Sequence, residues 1–338
     1  MVTRESALTV LVDYLTARKD ELSKPGKHRL EFSTVALEAA RDSFSAMIRR
    51  GEERLHRLCE LLSEELLGEY DLQCVVVGEI PDTGERFTVT RNLTSRALYS
   101  QTDLDLGTRE LHKLQVQGAH GWSQPLLVAN FVEYLPTGAN EHSIHKFLSR
   151  IKAEEEIWNK VVDEIFHLDA LVRRDKTLRH LSRYVKDVFG LKAVVSDGQR
   201  HSRDLQRTLR ALRFEPAILE RHRVPVGEST LGLEFLEVKD YLKETRKASG
   251  WAALKSVVSW WDCLFEIQIQ ALGSYHRERE RLTRESHTSF KSNRESLRNQ
   301  IAQEIPLFGF YRDLLRWLFR RPDEPAPTFA GVEIVVGD

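Results

Sequence analysis

The stretch CLFEIQIQA, residues 263–271, places Glu266, Gln268 and Gln270 at alternate positions between Ile267, Ile269 and Ala271. Period-two alternation of this kind belongs to a β-strand with one apolar and one polar face. A chain built around such a strand needs a sheet whose apolar face is covered. The polar face then carries one carboxylate, Glu266, in the middle of an otherwise uncharged strand.

Other segments supply the sheet. LQCVVVGEIPDTGERFTVTRN holds two β-rich runs around PDTGE, a hairpin signal. GLKAVVSD, EPAILERHRVPV, LEFLEV and WAALKSVVSWW also read as strands. Apolar positions three and four apart predict helices over residues 34–68, over HSIHKFLSRIKAEEEIWNKVVDEIFHL and over RHSRDLQRTLRAL. A long polar helix is expected from about 274 to 303, and an aromatic amphipathic helix in IPLFGFYRDLLRWLFRRP. The expected fold class is α+β: a mixed, mostly antiparallel sheet flanked by helices, preceded by a helical and small-sheet region.

The loop YLPTGANE, rich in turn formers, suggests a boundary near residue 135. The expected organisation is an N-terminal α+β region of unknown role (1–135), a central domain (136–305), and an aromatic helix with a Pro-rich tail (306–338). That helix would lie on a membrane or partner, or pack on its parent domain.

Charge excludes little locally. The formal net charge is -1, so nothing global points to nucleic acid, although RRDKTLRHLSRYVK (173–186) would suit phosphate. Cys59, Cys74 and Cys263 are odd in number and widely spaced, which argues against disulfides and structural zinc. The first residues lack the apolar core of a signal peptide, and no run reaches membrane-spanning length. The expected location is the cytoplasm.

A second acid, Asp187, precedes the strand that begins at Gly190. Two carboxylates on neighbouring strands among lysines and arginines suit magnesium-dependent phosphoryl-type transfer: hard oxygens for the metal, cations for the phosphates. Two solvated surface acids would have the same spacing.

Four stretches in order carry a resemblance. SRIKAEEEIWNK (149–160) resembles the R-x-K-x-x-x-S-x-x-x-K segment of RelA/SpoT-type alarmone synthetases, and KDVFGLKAVV resembles their D-x-x-G-x-R-V-V strand. VKDYLKETRKASGWAALKSVV is similar to their K-D-Y-I followed by G-Y-x-S-L-H, and FEIQIQA to their E-V-Q-I-R-T. The resemblance covers roughly residues 142–300. It implies a nucleotidyltransferase-like fold that moves the β,γ-diphosphate of ATP, with Mg2+, onto a ribose 3′-hydroxyl of GDP or GTP. It further implies that Asp187 and Glu266 hold magnesium, with Glu266 helping to deprotonate the hydroxyl. ATP and its phosphates would fall to Arg150, Lys152, Lys160, Lys192, Lys239, Arg246 and Lys247, and the acceptor to Trp251, Lys255, Gln268 and Gln270.

The chain departs from that pattern at informative places. Lys192 stands where the family has Arg, and an ammonium cannot give a bidentate grip on phosphate. Trp251 keeps a stacking surface without the tyrosine hydroxyl, and Ala253 and Lys255 replace Ser and His. Gln270 replaces Arg, and Glu156 replaces Ser. Three readings therefore stand: a free nucleotide acceptor, the 3′ end of tRNA, or a nucleotide-binding or interaction module without catalysis. A homo-oligomer or a regulatory protein partner is compatible with all three.

Overall fold

The computed structural model describes residues 6–100, 102–118, 121–152, 154–166, 187–242, 252–283, 298–320 and 324–337. These form two compact units: residues 1–48, 152–185 and 288–338 in one, 49–151 and 186–287 in the other. No described helix is long and apolar enough to cross a membrane.

The first unit contains α1 (Ser6–Leu22), β1 (His28–Ser33), the first half of α2 (Thr34–Leu66), α5 (Glu154–Ile165), helical residues 298–304, α9 (Pro306–Arg320) and β12 (Val332–Gly337). The amphipathic α9 packs against α5, its apolar face used within the unit. Trp158 of α5 stacks on Phe319 with ring centroids 3.9 Å apart, and Phe166 meets Phe308 and Tyr311 edge-on at 5.4 and 5.2 Å. The Tyr311 hydroxyl donates to the Leu15 carbonyl at 2.8 Å. The tail does not trail away either, because β12 pairs in parallel with β1. Arg298 is buried on a forked contact to Asp163, donating from Nε at 3.2 Å and from Nη2 at 2.8 Å.

The second unit is built on one sheet of eight strands in the order β3-β2-β6-β7-β8-β11-β10-β9. Its strands are β2 (Tyr70–Glu79), β3 (Arg86–Leu93), β6 (Leu126–Pro136), β7 (Ile144–Ile151), β8 (Phe189–Val195), β9 (Glu234–Asp240), β10 (Leu254–Trp260) and β11 (Cys263–Ala271). Only β8 and β11 run parallel; every other neighbouring pair is antiparallel. The expected α+β class with a mostly antiparallel sheet and flanking helices is what forms. A small ribbon, β4 (Val116–Gly118) with β5 (Gly121–Ser123), and the helices α3 (Ser95–Ser100) and α4 (Asp103–His112) stand between β3 and β6 in the chain.

Local chemistry explains the turns. Gly84, at φ 66°, closes the β2–β3 hairpin inside PDTGE. β10 and β11 are joined by Trp261 and Asp262, both left-handed at φ 46° and 57°, as a two-residue turn between twisted strands requires. Arg54 of α2 holds that turn, donating to the Trp261 carbonyl while its guanidinium lies 4.9 Å from the Trp261 ring.

Three expectations need correction, and a fourth is described only in part. IHKFLSRI is the strand β7, not helix, and only Glu154 onward is helical, so Arg150 does not share a helix with Lys160. EPAILE is the short helix α7 (Pro216–Arg221), not a strand, with Pro216 at its first turn, where a missing N–H costs nothing. YLPTGANE begins inside β6 and leads to β7, its neighbour in the same sheet, so the boundary at 135 falls inside the sheet. The polar helix beginning at Leu272 is described as α8 (Leu272–Thr283), and residues 284–297 of the expected span lie outside the described residues.

Register assigns the faces. The face bearing Phe189, Leu191, Phe265 and Ile267 is apolar. Two helices cover it: α2, and α6 (Gln199–Ala211) with buried Leu205 and Leu209. α2 approaches so closely at Gly51 that an added Cβ would come within 2.0 Å of the Phe189 ring. Helix α8 lies on the other face, where Tyr275 packs against Leu148 and Val194.

Candidate functional site

That second face gathers the chemistry. Glu266 on β11 stands directly opposite Gly190 on β8, which stands opposite Arg150 on β7. One step along, Lys192, Gln268, Lys255 and Lys239 form a row across β8, β11, β10 and β9. Gln270 follows in the next row, beside Val194. At Gly190 an added Cβ would meet only the backbone oxygens of Arg150 and Glu266, at 3.7 and 3.9 Å. The glycine leaves a gap in the face between the guanidinium-bearing strand and the carboxylate.

Glu266 is buried, not on an open polar face: 3% of its surface is exposed. Its carboxylate is ion-paired with Lys255 and accepts a hydrogen bond from the Gln268 side-chain amide. Lys192 donates to both oxygens of Glu278 on α8, at 2.8 Å each. Burial drives the Lys192 ammonium below its ordinary pKa, with Glu278 opposing the shift. Burial alone would raise the Glu278 carboxyl; Lys192, with Gln270 and Arg150 adding to it, holds that carboxyl below the usual range. Lys239 pairs with Glu237 on its own strand at 2.6 Å. Gln270 is fully buried, and its side-chain amide helps to hold down the Glu278 carboxyl.

Towards β6 the face continues with Glu133, which accepts from Lys146 at 2.9 Å and from Gln73 at 2.7 Å. Tyr275 lies among these groups, its ring 5.2 Å from the Lys146 ammonium and 5.8 Å from that of Lys192.

The structure thus brings together Glu266, Arg150, Lys192, Lys239, Lys255, Gln268 and Gln270. Asp187 lies in the turn before β8, three residues ahead of the glycine that faces Glu266. Lys152 and Lys160 belong to the other compact unit. Arg246, Lys247 and Trp251 lie outside the described residues, as does the basic segment 173–186. Sequence reasoning missed Glu278, Tyr275, Glu133 and Lys146. Glu133 carries the same signal as Glu266, a single acid inside an apolar strand, FVEYL.

The donor chemistry of Glu266 fits a hard cation such as magnesium, since carboxylate oxygens are its usual protein ligands. Lys255 already rests on that carboxylate, so a metal ion would share it with, or take it from, an ammonium.

No protein-family model matches the chain. No curated protein matches it. Among solved structures, the small alarmone synthetase 1 from Bacillus subtilis matches at 15% identity, over 48% of this chain and 82% of that one, with a TM-score of 0.24. At that score the likeness does not define the fold, which rests on the strand order and register above.

Proposed function

We propose that the polar face of β7, β8, β11, β10 and β9 binds a nucleoside triphosphate and supports magnesium-dependent transfer of the β,γ-diphosphate of ATP to a nucleotide 3′-hydroxyl, GDP or GTP being the acceptor. One observation carries this reading. Three lysines, Lys192, Lys255 and Lys239, share a single cross-strand row, next to a row holding Arg150 and Glu266. Lys255 and Lys239 stand directly opposite, a like-charge pairing that destabilises a sheet unless anions lie beside it, and for this row the chain's own Glu266, Glu237 and Glu278 fill that place. A diphosphate is an anion of suitable length and charge.

The chain's own groups supply the parts such a transfer needs. Catalysis of phosphoryl-type transfer is mostly positioning and charge stabilisation. Arg150 and the lysine row would hold the transferred diphosphate, and Glu266 would accept the proton of the attacking hydroxyl. Asp187 and Glu266 would hold magnesium, which when bound supplies charge neutralisation on the phosphate oxygens. Lys255 would move from Glu266 to phosphate as the substrate enters. Gln268 and Gln270 would meet the acceptor.

A second reading is favoured by the Lys255–Glu266 ion pair. A lysine resting where a metal would bind is what a face that holds nucleotide without turning it over would show. Purified protein with magnesium and γ-labelled ATP, offered GDP, GTP, AMP or bulk tRNA, separates the readings. Transfer to GDP or GTP that falls about 100-fold or more in Glu266→Gln is the expected result. ATP binding without label transfer to any acceptor would leave the binding module, and label on tRNA would move the acceptor to its 3′ end.

A further inference from the structure

On the apolar side of the same sheet lies a group of polar side chains that the nucleotide reading does not use. Glu52 and His56 stand one turn apart on α2, and Asp103 opens α4. All three are buried, at 6%, 1% and 3% exposure. A carboxylate oxygen from each acid and a ring nitrogen of His56 lie within 4.8 Å of one another. His56 Nε2 is 2.9 Å from Asp103 Oδ1, and the Asp103 backbone N–H donates to Glu52. The second oxygen of Asp103 has no hydrogen-bond partner among the described residues. No lysine or arginine joins the three among the contacts described for them.

We propose that Glu52, His56 and Asp103 are a binding site for a first-row divalent transition metal. Two carboxylates and a neutral imidazole around a dication sum to zero charge, and the orphaned Asp103 oxygen gains a partner. Ligands bound at 2.0–2.2 Å sit roughly 3–3.5 Å from one another, so contraction by about an ångström closes the site. The imidazole nitrogen selects zinc, manganese, iron or cobalt over magnesium and calcium, which take oxygen.

The surroundings already orient the ligands. His56 Nδ1 lies 3.1 Å from the Tyr134 hydroxyl on β6. When a metal binds, Nδ1 would carry the proton and donate it to Tyr134, so that the Nε2 lone pair faces the ion instead of donating a proton to Asp103. A ligating histidine commonly has its other ring nitrogen held in this manner. Asn130, on the same strand, donates its side-chain amide to the Asp103 carbonyl and fixes the start of α4. Three protein ligands leave a position for water or a small anion, as in sites that do chemistry rather than only hold structure. This site is independent of the Lys255–Glu266 face, on the opposite side of the sheet.

The test is titration of the metal-free, full-length chain with Co2+, followed by competition with Zn2+ and with Mg2+. The expected result is one equivalent of Co2+ with visible d–d absorption, displaced by Zn2+ but not by about a 100-fold excess of Mg2+. Asp103→Asn and Glu52→Gln should each weaken Co2+ binding by about 100-fold or more. Absence of Co2+ and Zn2+ uptake by the wild-type chain overturns the proposal, as does uptake by both variants at wild-type affinity. Should the variants fail to fold, the wild-type Co2+ complex still decides. Its NMR spectrum should contain one strongly shifted exchangeable imidazole N–H, the Nδ1 proton held by Tyr134, and its absence in a cobalt-loaded sample overturns the assignment.

Discussion

Two groups of buried and half-buried carboxylates lie on opposite faces of one sheet and are neutralised differently. On the α8 face each acid has its own ammonium: Glu133 with Lys146, Glu278 with Lys192, Glu266 with Lys255. On the α2 face Glu52 and Asp103 have only an imidazole between them, and burial together with Asp103 pushes the Glu52 carboxyl up to about 7. The first arrangement is closed, with charges matched inside the chain. The second is open, holding a proton where a cation would serve. On the proposed readings, an anion at the closed face would have to displace a carboxylate, and a cation at the open cluster would displace no ammonium.

Breaking a closed pair should have the largest effect. Lys192→Met leaves Glu278 charged and half-buried beside Tyr275, and should cost about 2 kcal/mol in urea unfolding, less than a fully buried pair would. The double variant Lys192→Met with Glu278→Leu should recover most of that loss, because replacing both partners of a buried pair with apolar groups is often neutral. If Lys192→Met unfolds at the wild-type midpoint, the pair contributes no stability and the contrast fails.

The same operation on the open cluster should do less. In metal-free protein at pH 8, Asp103→Asn removes one of two neighbouring carboxylates and keeps an oxygen for His56. The change in stability should stay within about 1 kcal/mol. A loss as large as that of Lys192→Met would mean that Asp103 is a structural anchor, and that the two faces are alike.

The sequence showed the closed face more clearly than the open cluster, and the reason is geometrical. Alternation along 263–271 put Glu266, Gln268 and Gln270 on one side before any fold was known. The motif order then identified the strands that meet it. β7 was lost because Ile144, Phe147, Leu148 and Ile151 are also spaced three and four apart, a helical period; pairing with β6 and β8 overrides it. Glu52 and His56 have the spacing of one helix turn, but nothing in the chain announces that Asp103 will come to them. Contacts of that kind depend on how α4 packs on β6, which no local pattern encodes.

A third way of neutralising acids refines the comparison and gives the smallest effect. His222, at the end of α7, lies 2.6 Å from Glu64 and 3.6 Å from Glu60, both on α2. Arg221 also reaches Glu64, while Arg57 and the Tyr99 hydroxyl reach Glu60. The bond to Glu60, against the opposing effect of burial, holds the His222 imidazole above its ordinary 6.5, and Glu64 adds to it. The folded state binds this proton more tightly than the unfolded chain, so the stabilisation is complete below pH 6.5. It is lost as pH rises through the higher folded value. His222 is only half-buried and shares its acids with two arginines, which limits the effect to under about 1 kcal/mol. Melting temperature measured from pH 5.5 to 8.5 should therefore fall more steeply for wild type than for His222→Asn. Parallel curves would mean that the arginines alone neutralise Glu60 and Glu64, making this corner of α2 a closed arrangement like the α8 face.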